Sequence, residues 1–72
     1  MRQIRIHVDT PLAEGAEVTL PEQAGEHIAR VLRLGVGDAV VLFDGRGDDY
    51  AATLTGIARR AVTARVEARR EP

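Results

Sequence analysis

The chain opens on a strict alternation. In RQIRIHV, Ile4, Ile6 and Val8 fall on one side and Gln3, Arg5 and His7 on the other, the period of a half-buried strand. DTPLAEGA breaks the pattern as a loop, and EVTL predicts a second short strand. Pro21 suits the first turn of a helix, where its missing N–H forfeits no hydrogen bond. From Pro21 to Arg33 the spacing is helical: Ala24, Ile28, Val31 and Leu32 cluster on one side, Glu26, Arg30 and Arg33 lie opposite, and His27 sits on the border. Gly35 and Gly37 read as the helix stop. DAVVLF is a strand whose continuous apolar run predicts burial on both faces. DGRGDD is turn chemistry, with two glycines that tolerate positive φ and aspartates able to bond nearby backbone. YAATLTGI and AVTARVEA are two more strands; in the second, Val62, Ala64, Val66 and Ala68 oppose Thr63, Arg65, Glu67 and Arg69.

The sum is about five strands and one helix. Short connections favour a mainly β architecture, a small antiparallel barrel with one short α-helix, because closure removes exposed edges. The barrel is expected over residues 1–70, and the charged tail RREP reads as the start of a linker at residues 71–72. A chain of 72 residues is one small domain, able to bury roughly 60% of the surface its unfolded form exposes. That leaves room for one thin core and a surface site.

Cysteine is absent, which removes disulfides, a thiol nucleophile and thiolate zinc sites. No apolar run approaches the roughly 20 residues that span a bilayer, and the amino terminus lacks a charged region followed by an apolar signal core. A soluble, unprocessed, cytoplasmic protein with no membrane partner is expected. The net charge of −1 argues against a uniformly basic nucleic-acid binder, yet all ten basic residues are arginine. Arginine's planar fork suits phosphates and base edges, but codon bias also explains a chain that lacks lysine, asparagine and serine. Position has to decide.

Most tempting motifs fall away. GVGDAV offers Gly35 and Gly37 without a third glycine and follows a helix, so it is no dinucleotide fingerprint. Arg46 to Asp48 spell RGD, a tripeptide that recurs by chance. His7 and His27 have no metal-ligand spacing with the scattered carboxylates, so no metal is expected. Asp48 and Asp49 sit in a turn, where shaping the loop is more economical than acid–base chemistry. No nucleophile lies beside a base, and no catalytic residue is assigned. The arginines of HIARVLR have two readings. Near a helix carboxyl end they complement the macrodipole by about 0.3 to 1 kcal/mol, and Glu26 with Arg30 is an i,i+4 pair. Alternatively, Arg30 and Arg33, with His27 at their edge, meet phosphates together with Arg5.

The segment HIARVLRLGVGDAVVLFDGRGDDYAATL closely resembles the amino-terminal domain of the RsmE family, bacterial methyltransferases that modify N3 of a uridine in 16S ribosomal RNA. The residues that carry the likeness are His27, Val31, Leu32, Arg33, Gly37, Asp38, Asp44 and Gly45, with Arg5, Ile6 and Pro11-Leu12 nearer the start. One departure is His7, where relatives often carry another aromatic residue. The resemblance implies a PUA-like barrel that helps to hold RNA, followed in the parent protein by a knotted SPOUT domain that binds S-adenosylmethionine and forms the homodimer. This chain would then hold no cofactor and be inactive alone. Its role would be to position 16S ribosomal RNA, or the small-subunit particle, for the parent enzyme. Arg5, His27, Arg30 and Arg33 become the expected RNA contacts, and Arg46, at the tip of a glycine-flanked turn, a further one. The rival expectations are a protein-interaction barrel docking on its own catalytic domain or a ribosomal protein without touching RNA, and an independent enzyme, which needs a pocket of perturbed ionisable groups.

Overall fold

The computed structural model describes residues 4–58 and 61–70. The linker expected at residues 71–72 lies outside them. Five strands form: β1 (Arg5–His7), β2 (Glu17–Thr19), β3 (Ala39–Phe43), β4 (Asp49–Ile57) and β5 (Val62–Arg70). A short helix, α1 (Glu22–Glu26), runs directly into a π-helical turn at His27–Leu32. Among the described residues, no helix is long and apolar enough to cross a membrane.

The strands make one sheet in the order β1-β3-β4-β5-β2. Three pairings are antiparallel, as expected, but β1 runs parallel to β3. The cause is the connection between them: Val8 to Asp38 carries β2 and the helix, long enough for the crossover that a parallel pair requires. The sheet curls so that both end strands feed one core. Ile6 of β1 and Val18 of β2 join Val40, Leu42, Leu54, Val62 and Val66 in a single buried cluster. No ladder joins β1 to β2 among the described residues. The helix helps to close this side, with Ile28 buried and Gly25 so near β5 that a Cβ there would meet Val62 Cγ2 at 3.1 Å.

Alternation places most side chains as read. Val40, Val41 and Leu42 are all buried, Val41 outside the core cluster, so β3 is covered on both faces. Ala68 is a correction, since it is exposed. Ala51 pairs with Ala68 but Ala52 pairs with Val66, and the extra residue on β5 flips the alternation beyond it.

Two corrections concern the helix. Val31, expected on the apolar side, is 66% exposed. The π turn bonds each N–H five residues back, so the apolar stripe of a 3.6-residue repeat drifts off the core while Ile28 and Leu32 keep contact. The stop is not set by the glycines either. Arg33 takes the left-handed conformation, φ 53 and ψ 41, and its N–H donates to the Ile28 carbonyl. The Leu34 N–H donates to the same oxygen at 3.1 Å, and Leu34 packs against the core. Reversing the chain at Arg33 satisfies the helix end and returns an apolar residue inward. Gly35 and Gly37 instead serve the turn into β3: the Gly35 N–H donates to Asp38 Oδ2, and Gly37 has φ 95.

Candidate nucleic-acid interface

The alternation of β1 sends Ile6 into the core and Arg5 and His7 outward. Their positions follow from the ladder: His7 lies beside Phe43, which lies beside Asp49. The Arg5 guanidinium crosses this outer face to pair with Asp49 at 2.9 Å, with its central carbon 4.9 Å from the Phe43 ring centre. The His7 ring lies 5.3 Å from that centre, tilted by 57°. Phe43 thus carries a cation and an imidazole, and Arg5 is held by a carboxylate and an aromatic ring together.

Between β1 and the helix runs an open groove of about 620 Å³. Arg5, His7 and Asp9 line one side, Gln23 and His27 the other, with Ile4, Ile6 and Ile28 among its apolar lining. A smaller depression of about 260 Å³ shares Gln23 and His27 and adds Glu26, Arg30 and Val31. The two form one surface that crosses the helix at His27.

Of the residues expected to contact RNA, Arg5, His27 and Arg30 are brought together along this surface. Arg33 is exposed just past the π turn and lines neither hollow. Arg46 is exposed on the turn between β3 and β4, where Gly45 and Gly47 have φ 85 and 104 and the Arg46 N–H donates to Asp44 Oδ1 at 3.0 Å. That turn flanks the β1 end of the groove, since a Cβ on Gly45 would lie 3.8 Å from His7 Nε2. Among the described residues, the side chains of His27, Arg30, Arg33 and Arg46 form no hydrogen bond or ion pair; the expected Glu26–Arg30 pair does not form. The turn carboxylates are engaged, Asp49 with Arg5 and Asp48 with Arg69 at 3.6 Å. Sequence reasoning missed His7, Gln23 and Asp49 as parts of the site. His7 shares the polar face of β1 with Arg5 and was within reach of the alternation; the other two depend on packing and register.

A mostly β five-stranded sheet with one short helix, curled in this way, is a PUA-like domain. Residues 20–67 match the family described as RNA methyltransferase PUA domain, and the chain belongs to that family. Solved structures agree over nearly the whole chain. A methyltransferase candidate from Legionella pneumophila, with bound S-adenosylmethionine, superposes with a TM-score of 0.92 at 28% identity over 99% of this chain and 29% of its own. Ribosomal RNA small subunit methyltransferase E from Neisseria gonorrhoeae, also bound to S-adenosylmethionine, gives 0.87 at 28% identity, covering 96% of this chain and 29% of its own. A predicted RNA methyltransferase from Thermotoga maritima gives 0.77 at 26% identity, over 94% and 30%. The chain therefore spans less than a third of the length of these relatives.

Proposed function

We propose that the chain is the RNA-binding, substrate-positioning part of an S-adenosylmethionine-dependent methyltransferase that acts on N3 of a uridine in 16S ribosomal RNA during small-subunit maturation in the cytoplasm. The observation that carries this reading is the continuous surface of groove and adjoining depression along which Arg5, His27 and Arg30 lie, with His27 shared by both hollows, in a chain of the RNA methyltransferase PUA family. Arg30, whose side chain has no partner among the described residues, is available to a phosphate, and phosphate contacts fix the register and orientation of a bound strand. The gain for the parent enzyme is proximity: the target uridine is held where a methyl donor on another domain can reach it. That domain would be of SPOUT type and dimeric, so two copies of this surface would act together and raise the effective concentration of their contacts.

S-adenosylmethionine supplies the methyl group and on this reading belongs to the other domain. The described residues here do not fit it. No polar or charged side chain among them is buried to form a cofactor cradle, and no buried side-chain nitrogen or oxygen lacks a partner for such a group to satisfy.

The test is binding of a 16S decoding-site RNA fragment to the parent protein and to its Arg30→Ala plus Arg33→Ala variant across salt. Affinity is expected to fall as salt rises, with a log–log slope of about 0.7 for each phosphate contacted, and the variant should lose both affinity and slope. Equal binding by both forms removes these arginines from the interface. The exposed Val31 and Val36 favour a second reading, docking on the parent's own catalytic domain or on a ribosomal protein without RNA contact. Affinity for that partner would be nearly independent of salt.

A further inference from the structure

The β1 strand has one bonded edge and one open edge. The Val41 N–H donates to the Ile4 carbonyl at 2.8 Å, and the Val8 N–H donates to the Phe43 carbonyl at 2.9 Å. With Ile6 in register with Leu42, these bonds place Ile4, Ile6 and Val8 on the side of β1 that pairs with β3. The backbone N–H and C=O groups of Arg5 and His7 therefore point the other way. Among the described residues no further strand pairs with β1, and β1 forms a side of the 620 Å³ groove.

We propose that this open edge binds one unstacked nucleobase of a single-stranded RNA, the Arg5 carbonyl accepting and the His7 N–H donating to adjacent groups on the base. The inference rests on the RNA-binding reading above and adds to it the atoms that meet the base. A free strand edge presents a neighbouring acceptor and donor, and an unpaired base presents the complementary pair on its Watson–Crick edge. The opposite side of the groove supplies what a base needs besides hydrogen bonds. The exposed His27 ring offers a face for stacking, and the Gln23 amide offers both a donor and an acceptor. Arg30 lies just beyond His27, placed for the neighbouring phosphate. The groove volume is that of a site for one small ligand. Phe43 is already covered by Arg5 and His7, so stacking falls to the histidine across the groove. A peptide strand added to this edge is the less favoured occupant: β1 is three residues long, and the arginines suit a polyanion.

The test uses the parent protein and a single-stranded 16S fragment in which an abasic site is walked along the chain. One position should lose about tenfold in affinity and its neighbours little, because stacking and base-edge bonds are lost only there. His7→Pro removes the N–H but is tolerated on the open side of an edge strand, whereas His7→Ala keeps the N–H. His7→Pro should weaken binding about fivefold more than His7→Ala, the worth of one hydrogen bond. If His7→Pro fails to fold, hydrogen exchange on the unmodified protein decides, since RNA should slow exchange at the His7 amide. Salt-dependent RNA binding with a flat abasic scan and an unprotected His7 amide overturns this inference and leaves the proposed function standing. Absence of salt-dependent RNA binding overturns both. Protection of the His7 amide by another part of the parent, with RNA lacking effect, makes the edge a protein contact and likewise overturns the inference.

Discussion

Along β3, β4 and β5 the inward positions Val40, Leu42, Ala52, Leu54, Val62, Ala64 and Val66 are all buried, and the connecting turn satisfies its own backbone through Asp44. Between Pro21 and Asp38 the chain departs from regular geometry at the π turn, at the left-handed Arg33 and at Gly37. The same segment leaves Val31 and Val36 exposed, and Arg30 and Arg33 without side-chain partners among the described residues. In the first region each inward residue is explained by what it packs against. In the second, irregular backbone coincides with side chains directed to solvent, where π turns and left-handed non-glycine residues accompany function. On the proposed reading the meander is the scaffold, and the helical segment, together with β1, carries the surface that meets RNA.

The sharpest way to break this division is to damage the scaffold. Leu54 has no exposed surface, and Leu54→Ala should cost about 2–5 kcal/mol. A domain this small sits near the low end of the usual stability of roughly 5–15 kcal/mol, so much of the variant should be unfolded at ambient temperature. Urea unfolding measures it, and a loss under about 1 kcal/mol would show that the meander does not hold the fold. Next comes Gly56→Ala. Its Cβ would lie 2.8 Å from Thr63 Oγ1, which shares a 3.0 Å hydrogen bond with Thr55 Oγ1. Either the bond breaks or the strands move apart, and the expected cost is about 1–3 kcal/mol by the same measurement.

The same division separates what could be read in the sequence from what could not. Strands with period-two alternation were legible because each position's burial is encoded locally, as Ile4, Ile6 and Val8 show. Ala68 was misplaced because the bulge opposite Ala51 and Ala52 belongs to the strand pair and leaves no mark in β5 alone. The parallel pairing of β1 with β3 depends on the path of the intervening chain. Val31 was misplaced because its apolar spacing fits an α-helix and the π turn has no composition signal. The helix stop was assigned to Gly35 and Gly37, where glycine advertises freedom, while the left-handed residue is an arginine. In the site, Arg5 could be selected from its strand face. Its pairing with Asp49, 44 residues away, is a consequence of register.

Arg33 tests whether the irregular segment trades stability for function. A non-glycine residue in the left-handed region costs about 1–2 kcal/mol, and glycine there gives back roughly 0.5–1 kcal/mol through its unfolded-state freedom. Arg33→Gly should therefore raise stability by about 0.5–1 kcal/mol while lowering the parent protein's RNA affinity and reducing its salt slope by about 0.7. Urea unfolding and RNA titration of the same variant decide. A stability loss would mean that the arginine side chain supports the fold, and the contrast with the meander would weaken.

The smallest effect on stability concerns the ion pair that ties β1 to the meander. Arg5 and Asp49 lie 2.9 Å apart, but the arginine side chain is 54% exposed. Solvent screens such a pair, and Asp49→Asn should change stability by only about 0.2–1 kcal/mol. Its effect on binding has the opposite sign. The carboxylate of Asp49 neutralises Arg5 and occupies one arm of its fork, so removing the charge releases the guanidinium toward a phosphate while Phe43 still supports its face. The parent protein carrying Asp49→Asn should bind RNA more tightly, with a salt slope steeper by up to about 0.7. If affinity instead falls, Asp49 is needed to hold Arg5 in a fixed pose, and the scaffold's contribution to the site is orientation. An unchanged affinity and slope would remove Arg5 from the RNA interface and leave the bound strand to the helix side of the groove.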